Sequence, residues 1–160
     1  MSVVSWLTFT RDRPALAEHG KSLLYQHGVG LAFLATVRSD GGPRVHPVCP
    51  LITDDGLFAF IVPSPKQHDL KRSGVYALHS FPCPTNEDAF YVTGVAVIVM
   101  DSERREALSR QFVAERETFG VAPPSPDDAL FEFDIESCLL TRTTGHGDPS
   151  PVHTVWHAPT

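Results

Sequence analysis

From residue 31 onward the chain is written in short apolar runs rich in Val, Ile, Phe and Ala, separated by glycine and aspartate turns, which is the texture of an all-β domain. The runs are Leu31–Arg38, Arg44–Ile52, Leu57–Val62, Val75–Phe81 and Phe90–Met100. Ser39-Asp40-Gly41-Gly42 and Asp54-Asp55-Gly56 supply the positive-φ positions of tight hairpins, so the first three runs are expected to form an antiparallel meander that curls into a barrel. Leu130–Thr143 adds a further strand, with Phe131, Phe133 and Ile135 alternating against Glu132, Asp134 and Glu136.

Helical patterning is confined to three segments. Asp12 before Arg13-Pro14 reads as a cap followed by an early proline, with Ala15, Leu16, Leu23 and Leu24 on one stripe and Gly28 and Gly30 as stops. Asp101–Phe119 is a second helix, capped by Asp101 or Ser102 and closed by Gly120, with Leu108 and Phe112 one turn apart. A short third helix begins at Ser64-Pro65-Lys66 and stops at Gly74. Ala122–Asp128, dense in proline, is a loop, and Gly145–Thr160 carries too much proline, glycine and histidine for a regular element. No repeat or linker interrupts the pattern, so residues 1–160 are expected to form a single, mainly β domain with flanking helices.

Composition narrows the function classes. The formal net charge of −6 argues against a general nucleic-acid surface, which needs a basic face to neutralise phosphates. The amino terminus has neither the basic region nor the apolar length of a secretory signal, and no run reaches membrane-spanning length, so a cytoplasmic location is expected. Cys49, Cys83 and Cys138 are odd in number and widely spread, which fits buried thiols better than a disulfide framework or a paired-cysteine zinc site.

The candidate chemistry concentrates at Ser64-Pro65-Lys66-Gln67, directly after the third strand. A cap serine, a proline at the first helical position and a glutamine three residues after the cap make a capping-box pattern. Such a helix start points backbone N–H groups and a partial positive charge outward, and Lys66 adds a full charge. Lys71, Arg72 and Arg44 are further cations that converge on an anion if the strands bring them together. The bland alternative is an ordinary helix cap beside solvated surface charges.

Thr36-Val37-Arg38, the turn Ser39–Gly42, Pro43-Arg44-Val45-His46-Pro47-Val48, Asp54-Asp55-Gly56-Leu57-Phe58-Ala59-Phe60 and then Ser64-x-Lys66 with Leu70-Lys71-Arg72 together resemble the amino-terminal half of the pyridoxamine 5'-phosphate oxidase-like, FMN-binding split-barrel family. Gly94 within Val92–Val97 resembles a glycine of that family's later strand. The resemblance implies a six-stranded antiparallel split barrel, a homodimer, and FMN held at the subunit interface. It makes Ser64 and Lys66 phosphate ligands, lays Arg44, Val45, His46, Pro47 and Val48 along the flavin, and gives Ile61 and Val62 backbone and apolar contacts to it. Trp156 is either a hydrophobic anchor for the tail or a cover over a flavin held by the partner subunit.

Two departures stand out. Pro65 occupies the place of an arginine in authentic oxidases, and the later strand's flavin-contacting glutamine is replaced near Ala89. The carboxyl-terminal arginine signature of those oxidases is also missing, so vitamin B6 oxidation is not implied. The resemblance therefore points to an FMN-dependent oxidoreductase moving hydride or electrons between a reduced donor and a small-molecule acceptor. Its alternatives are a non-catalytic flavin or haem carrier and a deazaflavin-dependent reductase, with FAD as another flavin form. No side chain stands out as an acid, base or nucleophile. Cys49 lacks a recognisable base, His46 and His79 lie on strands, and the His146, His153, His157 spacing matches no familiar metal-ligand geometry.

Overall fold

A computed structural model describes residues 2–160. The chain opens with two short helices, α1 (Trp6–Asp12) and α2 (Pro14–Leu24), where the sequence pattern predicted one. Ser5 caps α1, its Oγ accepting the Thr8 N–H at 3.2 Å. Asp12 therefore ends a helix instead of starting one, and Arg13 precedes Pro14 without a side-chain cap bond. α1 escaped the sequence reading because only Trp6 and Phe9 face inward, too few positions for a visible stripe.

All strand pairings are antiparallel and join eight strands into one sheet. They are β1 (Ala32–Val37), β2 (Pro43–Val48), β3 (Leu51–Ile52), β4 (Leu57–Ile61), β5 (Val75–Ser80), β6 (Ala89–Ile98), β7 (Ala129–Arg142) and β8 (Val152–His157). The order is β2-β1-β5-β6-β7-β4-β3, with β8 added to the carboxyl-terminal half of β7. The expected meander is thus two hairpins, β1/β2 and β3/β4, because the run Arg44–Ile52 breaks at Cys49-Pro50. Its halves lie at opposite ends of the strand order, so the chain passes from one sheet edge to the other and rolls the sheet into a barrel. Gly30 permits that crossing: a Cβ there would stand 1.9 Å from the Pro50 carbonyl oxygen.

The strand count exceeds six because β3 splits from β2 and because the tail is not irregular. In β8 only Trp156 is buried, so no alternation marks the strand; the ladder to β7 and the contact of Trp156 with Phe9, ring centroids 4.9 Å apart, hold it. Gly94 sits at a register shift between β6 and β7, where a Cβ would fall 1.9 Å from the Asp134 carbonyl oxygen.

The barrel interior is filled by fully buried side chains, among them Phe9, Leu34, Leu78, Phe90, Val92, Phe133 and Ile135. A second, smaller core lies outside the barrel, where α4 (Ser102–Glu115) covers Leu51, Phe58 and Leu130 with Leu108. Asp101 caps α4, accepting the Glu103 and Arg104 N–H groups. The expected last turn of this helix is a 3-10 turn, Glu117–Phe119, closed by Gly120 at φ 62°. Helix α3 (Pro65–Ser73) follows β4 and ends on Gly74 at φ 70°. No helix among the described residues is long and apolar enough to cross a membrane.

Candidate functional site

The start of α3 is built as a capped turn with little slack. Ser64 Oγ accepts the Gln67 N–H at 3.4 Å and donates to the Val62 carbonyl at 2.7 Å. Pro65 has no N–H, so the Lys66 N–H is the first-turn backbone donor left for a ligand. The reciprocal half of the capping box is not made. Gln67 is buried and donates instead to the Ile61 and Asp127 carbonyls, at 2.7 and 3.2 Å, which ties the end of β4 to the proline-rich loop.

The four cations do not all converge on the helix start. Lys71 Nζ donates to Gln67 Oε1 at 2.9 Å. Arg44 and Arg72 both turn to the carboxylate of Asp69, at 2.8 and 3.3 Å, and Arg72 also donates to the Val37 carbonyl. Thr36 Oγ1 donates to the same carboxylate at 2.9 Å. Burial works against ionising Asp69, but the bonds from Arg44, Thr36 and Arg72 outweigh it and hold the carboxyl below the usual carboxylate range. Of the four cations, Lys66 alone has no side-chain partner among the described residues.

Lys66 stands at a groove of about 300 Å³ where β2 leaves one edge of the sheet and β4 approaches the other. Five of the predicted residues line it: Pro47, Val48, Ile61, Val62 and Lys66. Ser64 adjoins it through Val62. The opposite wall was not foreseen. It consists of Phe60 and Phe112, the loop Val121-Ala122-Pro123-Pro124, Asp128 and, from the strand break, Cys49. The proline pair is the sequence signal for that wall, since Phe112 reads in the sequence only as lying one helical turn from Leu108.

Other predicted residues lie elsewhere. Arg44 is held by Asp69, and Val45 and His46 are exposed on β2 outside the groove lining. Of the two alternatives for Trp156, its surroundings are those of the hydrophobic anchor: it is 5% exposed, packs on Phe9, and its indole N–H donates to Asp12 Oδ2 at 2.7 Å. A larger cavity of about 560 Å³ opens between the stacked rings of Phe33 and Phe81, His79 and His146. It contains no Lys or Arg, and an anionic ligand is better served by the Lys66 groove.

No family model and no curated protein matches the sequence. Solved structures do match its fold. A heme-binding protein from Mycobacterium smegmatis superposes with a TM-score of 0.65 at 13% identity over 89% of this chain, which spans 58% of that longer chain. A Listeria innocua protein provisionally assigned as a pyridoxamine 5'-phosphate oxidase gives 0.59 at 17% identity, covering 75% of this chain and 93% of its own. PhzG from Burkholderia lata, in complex with tetrahydrophenazine-1-carboxylic acid, gives 0.59 at 16% identity, covering 93% and 96%. With the strand order and the Cys49-Pro50 crossing described above, these likenesses give the chain the split-barrel fold of the pyridoxamine 5'-phosphate oxidase-like proteins.

Proposed function

We propose that this chain binds FMN in the Lys66 groove and acts as an oxidoreductase, passing hydride or electrons from a reduced donor to a small-molecule acceptor. The observation that carries this reading is the meeting of an apolar floor, Pro47, Val48, Ile61 and Val62, with an unengaged lysine at the start of a helix. Ligand sites are mainly apolar with a few placed polar groups, typically about 300–1,000 Å³, and the groove sits at the lower end of that range. Lys66 and its own N–H fit the phosphate, helped by the helix dipole. Pro47, Val48 and Ile61 would keep water from the ring system, and bound flavin would supply the redox chemistry itself.

A second copy of the chain completes the site in this proposal. The outward side chains of β2, β1, β5 and β6 are largely apolar and uncovered: Val45 is 59%, Val75 41% and Val97 50% exposed. Phe33, Ala35, Val37, Tyr91 and Val95 lie half-buried on the same face. A contiguous apolar sheet face of this kind suits an isologous dimer. Pro47 belongs both to this face and to the groove, so a partner there would deepen the pocket.

The heme-binding neighbour favours one competing reading, a carrier of haem without turnover. Titration of the full chain with FMN, a deazaflavin and haemin separates the readings. The proposal predicts FMN uptake with a shifted visible spectrum, reduction by a nicotinamide donor and reoxidation by an added acceptor. Preference for haemin, or bound flavin that no donor reduces, contradicts it.

A further inference from the structure

The Lys66 groove begins where the pairing of β4 with β7 stops. Ile61 and Ala129 are the last residues in register at that end, and the next two across the gap, Val62 and Asp128, both line the groove. Their backbone groups are committed elsewhere: the Val62 carbonyl accepts the Ser64 hydroxyl at 2.7 Å, and the Asp128 N–H donates to the Ser125 carbonyl at 3.0 Å. Pro63, which follows Val62, has no N–H to offer. The two segments therefore part here like the tines of a fork, one leading into α3 and the other coming from the proline-rich loop.

A buried side chain bridges the base of this fork. Gln67 Nε2 donates to the Ile61 carbonyl on one tine at 2.7 Å and to the Asp127 carbonyl on the other at 3.2 Å. Two oxygens bonded to one nitrogen at those distances stand no more than about 6 Å apart, so the carboxamide limits how far the tines separate. Its oxygen accepts Lys71 Nζ at 2.9 Å, and each polar atom of the amide thus has a partner. Gln67 does not itself line the groove. Its neighbour Lys66 does, and so do Val62 and Asp128, the residues that follow its two carbonyl partners. A second tie holds the loop from α4: Arg105 donates to the Ser125 carbonyl at 2.8 Å, its guanidinium lying 5.3 Å from the ring of Phe60, another wall residue.

We infer that Gln67 is a positioning residue for the groove: by clamping Ile61 to Asp127 it sets the distance from the apolar floor to the proline-rich wall and holds that wall beside Lys66. The inference rests on the flavin reading above. A clamp of this kind acts on the width of the groove and not on the phosphate, so ligands with and without a phosphate should feel it alike.

The test combines two measurements on the full chain carrying Gln67→Met, which keeps the length of the side chain and removes its hydrogen bonds. Amide hydrogen exchange without ligand should quicken about tenfold in residues 121–128 while β1, β5 and β6 keep wild-type rates. Affinities for FMN and for riboflavin should each fall about tenfold, so that their ratio stays within about threefold of wild type. A role confined to stability would lower the urea midpoint and leave both affinities of the folded protein unchanged, and that result overturns the inference. Loss of FMN affinity alone, or wild-type exchange in residues 121–128, also overturns it. If Gln67→Met does not fold, Arg105→Ala serves: it removes the tie from α4, and loop exchange should rise and both affinities fall by about threefold, unchanged values being contrary. A wild-type protein that binds neither ligand overturns the flavin reading and this inference together. A wild type that binds both while Gln67→Met binds them equally well overturns this inference alone.

Discussion

The barrel has two outer walls that the chain treats differently. Over β3, β4 and the first half of β7, α4 is laid down as a cover: Phe58 and Leu130 are at most 1% exposed beneath it, and Arg104 lies over the Phe58 ring at 4.6 Å while bonding Glu132 at 2.9 and 3.3 Å. Over β2, β1, β5 and β6 the outward side chains are also apolar, yet they remain exposed or half-buried. One wall is finished within the chain, and the other is left bare. The groove lies at the seam between them, where the strand break at Cys49-Pro50 carries the chain from the bare wall to the covered one.

The comparison can be broken most severely at the covered wall. Phe58→Ala should destabilise the fold by about 3–5 kcal/mol, read as a shift of the urea midpoint, because it empties a site that α4 cannot collapse to fill. On the bare wall Val97→Asp should cost the isolated fold about 0.5 kcal/mol or less. Its effect should appear in sedimentation or light scattering, as conversion of a dimer to a monomer. If Val97→Asp leaves the mass unchanged, or the wild type is already a monomer, the bare wall has another role.

A smaller effect should come from acid. Asp69 is held below its unfolded value of about 3.9, so its ionised form stabilises the fold at any pH above that value. This contribution is lost as the pH falls through the lower, folded value. Wild type should therefore lose more stability than Asp69→Asn between pH 5 and roughly pH 3, measured by urea midpoints at each pH. Equal losses would mean that Asp69 titrates alike in both states.

What the sequence made legible follows the same division. Strands whose inner face alternates strictly, such as β1 with Ala32, Leu34 and Thr36 inward, were recovered almost to the residue. The start of α4 was legible from its Asp101 cap, while the expected last turn proved to be a 3-10 turn closed by Gly120. The break at Cys49-Pro50 was not legible, because apolar residues continue through it, and the proline's missing N–H was outweighed by the run's composition. β8 was missed because a strand with one buried residue carries no period. At the site, the local elements were readable: cap, lysine and the ends of two strands. The destination of each long side chain was not, since whether Arg44 meets a ligand or Asp69 depends on α3 crossing the end of the barrel, a tertiary fact. Trp156 was legible as a tail anchor, but its hydrogen-bond partner was not, Asp12 lying 144 residues away in sequence.

The most direct test of the site is a pair of variants at the two lysines of α3, measured by FMN titration of the full-length chain. Lys66 is free at the groove and Lys71 is occupied by Gln67. The account predicts that Lys66→Ala weakens FMN binding about tenfold while Lys71→Ala changes it by about twofold or less. Equal effects of the two variants, or no FMN binding by the wild type, would contradict it.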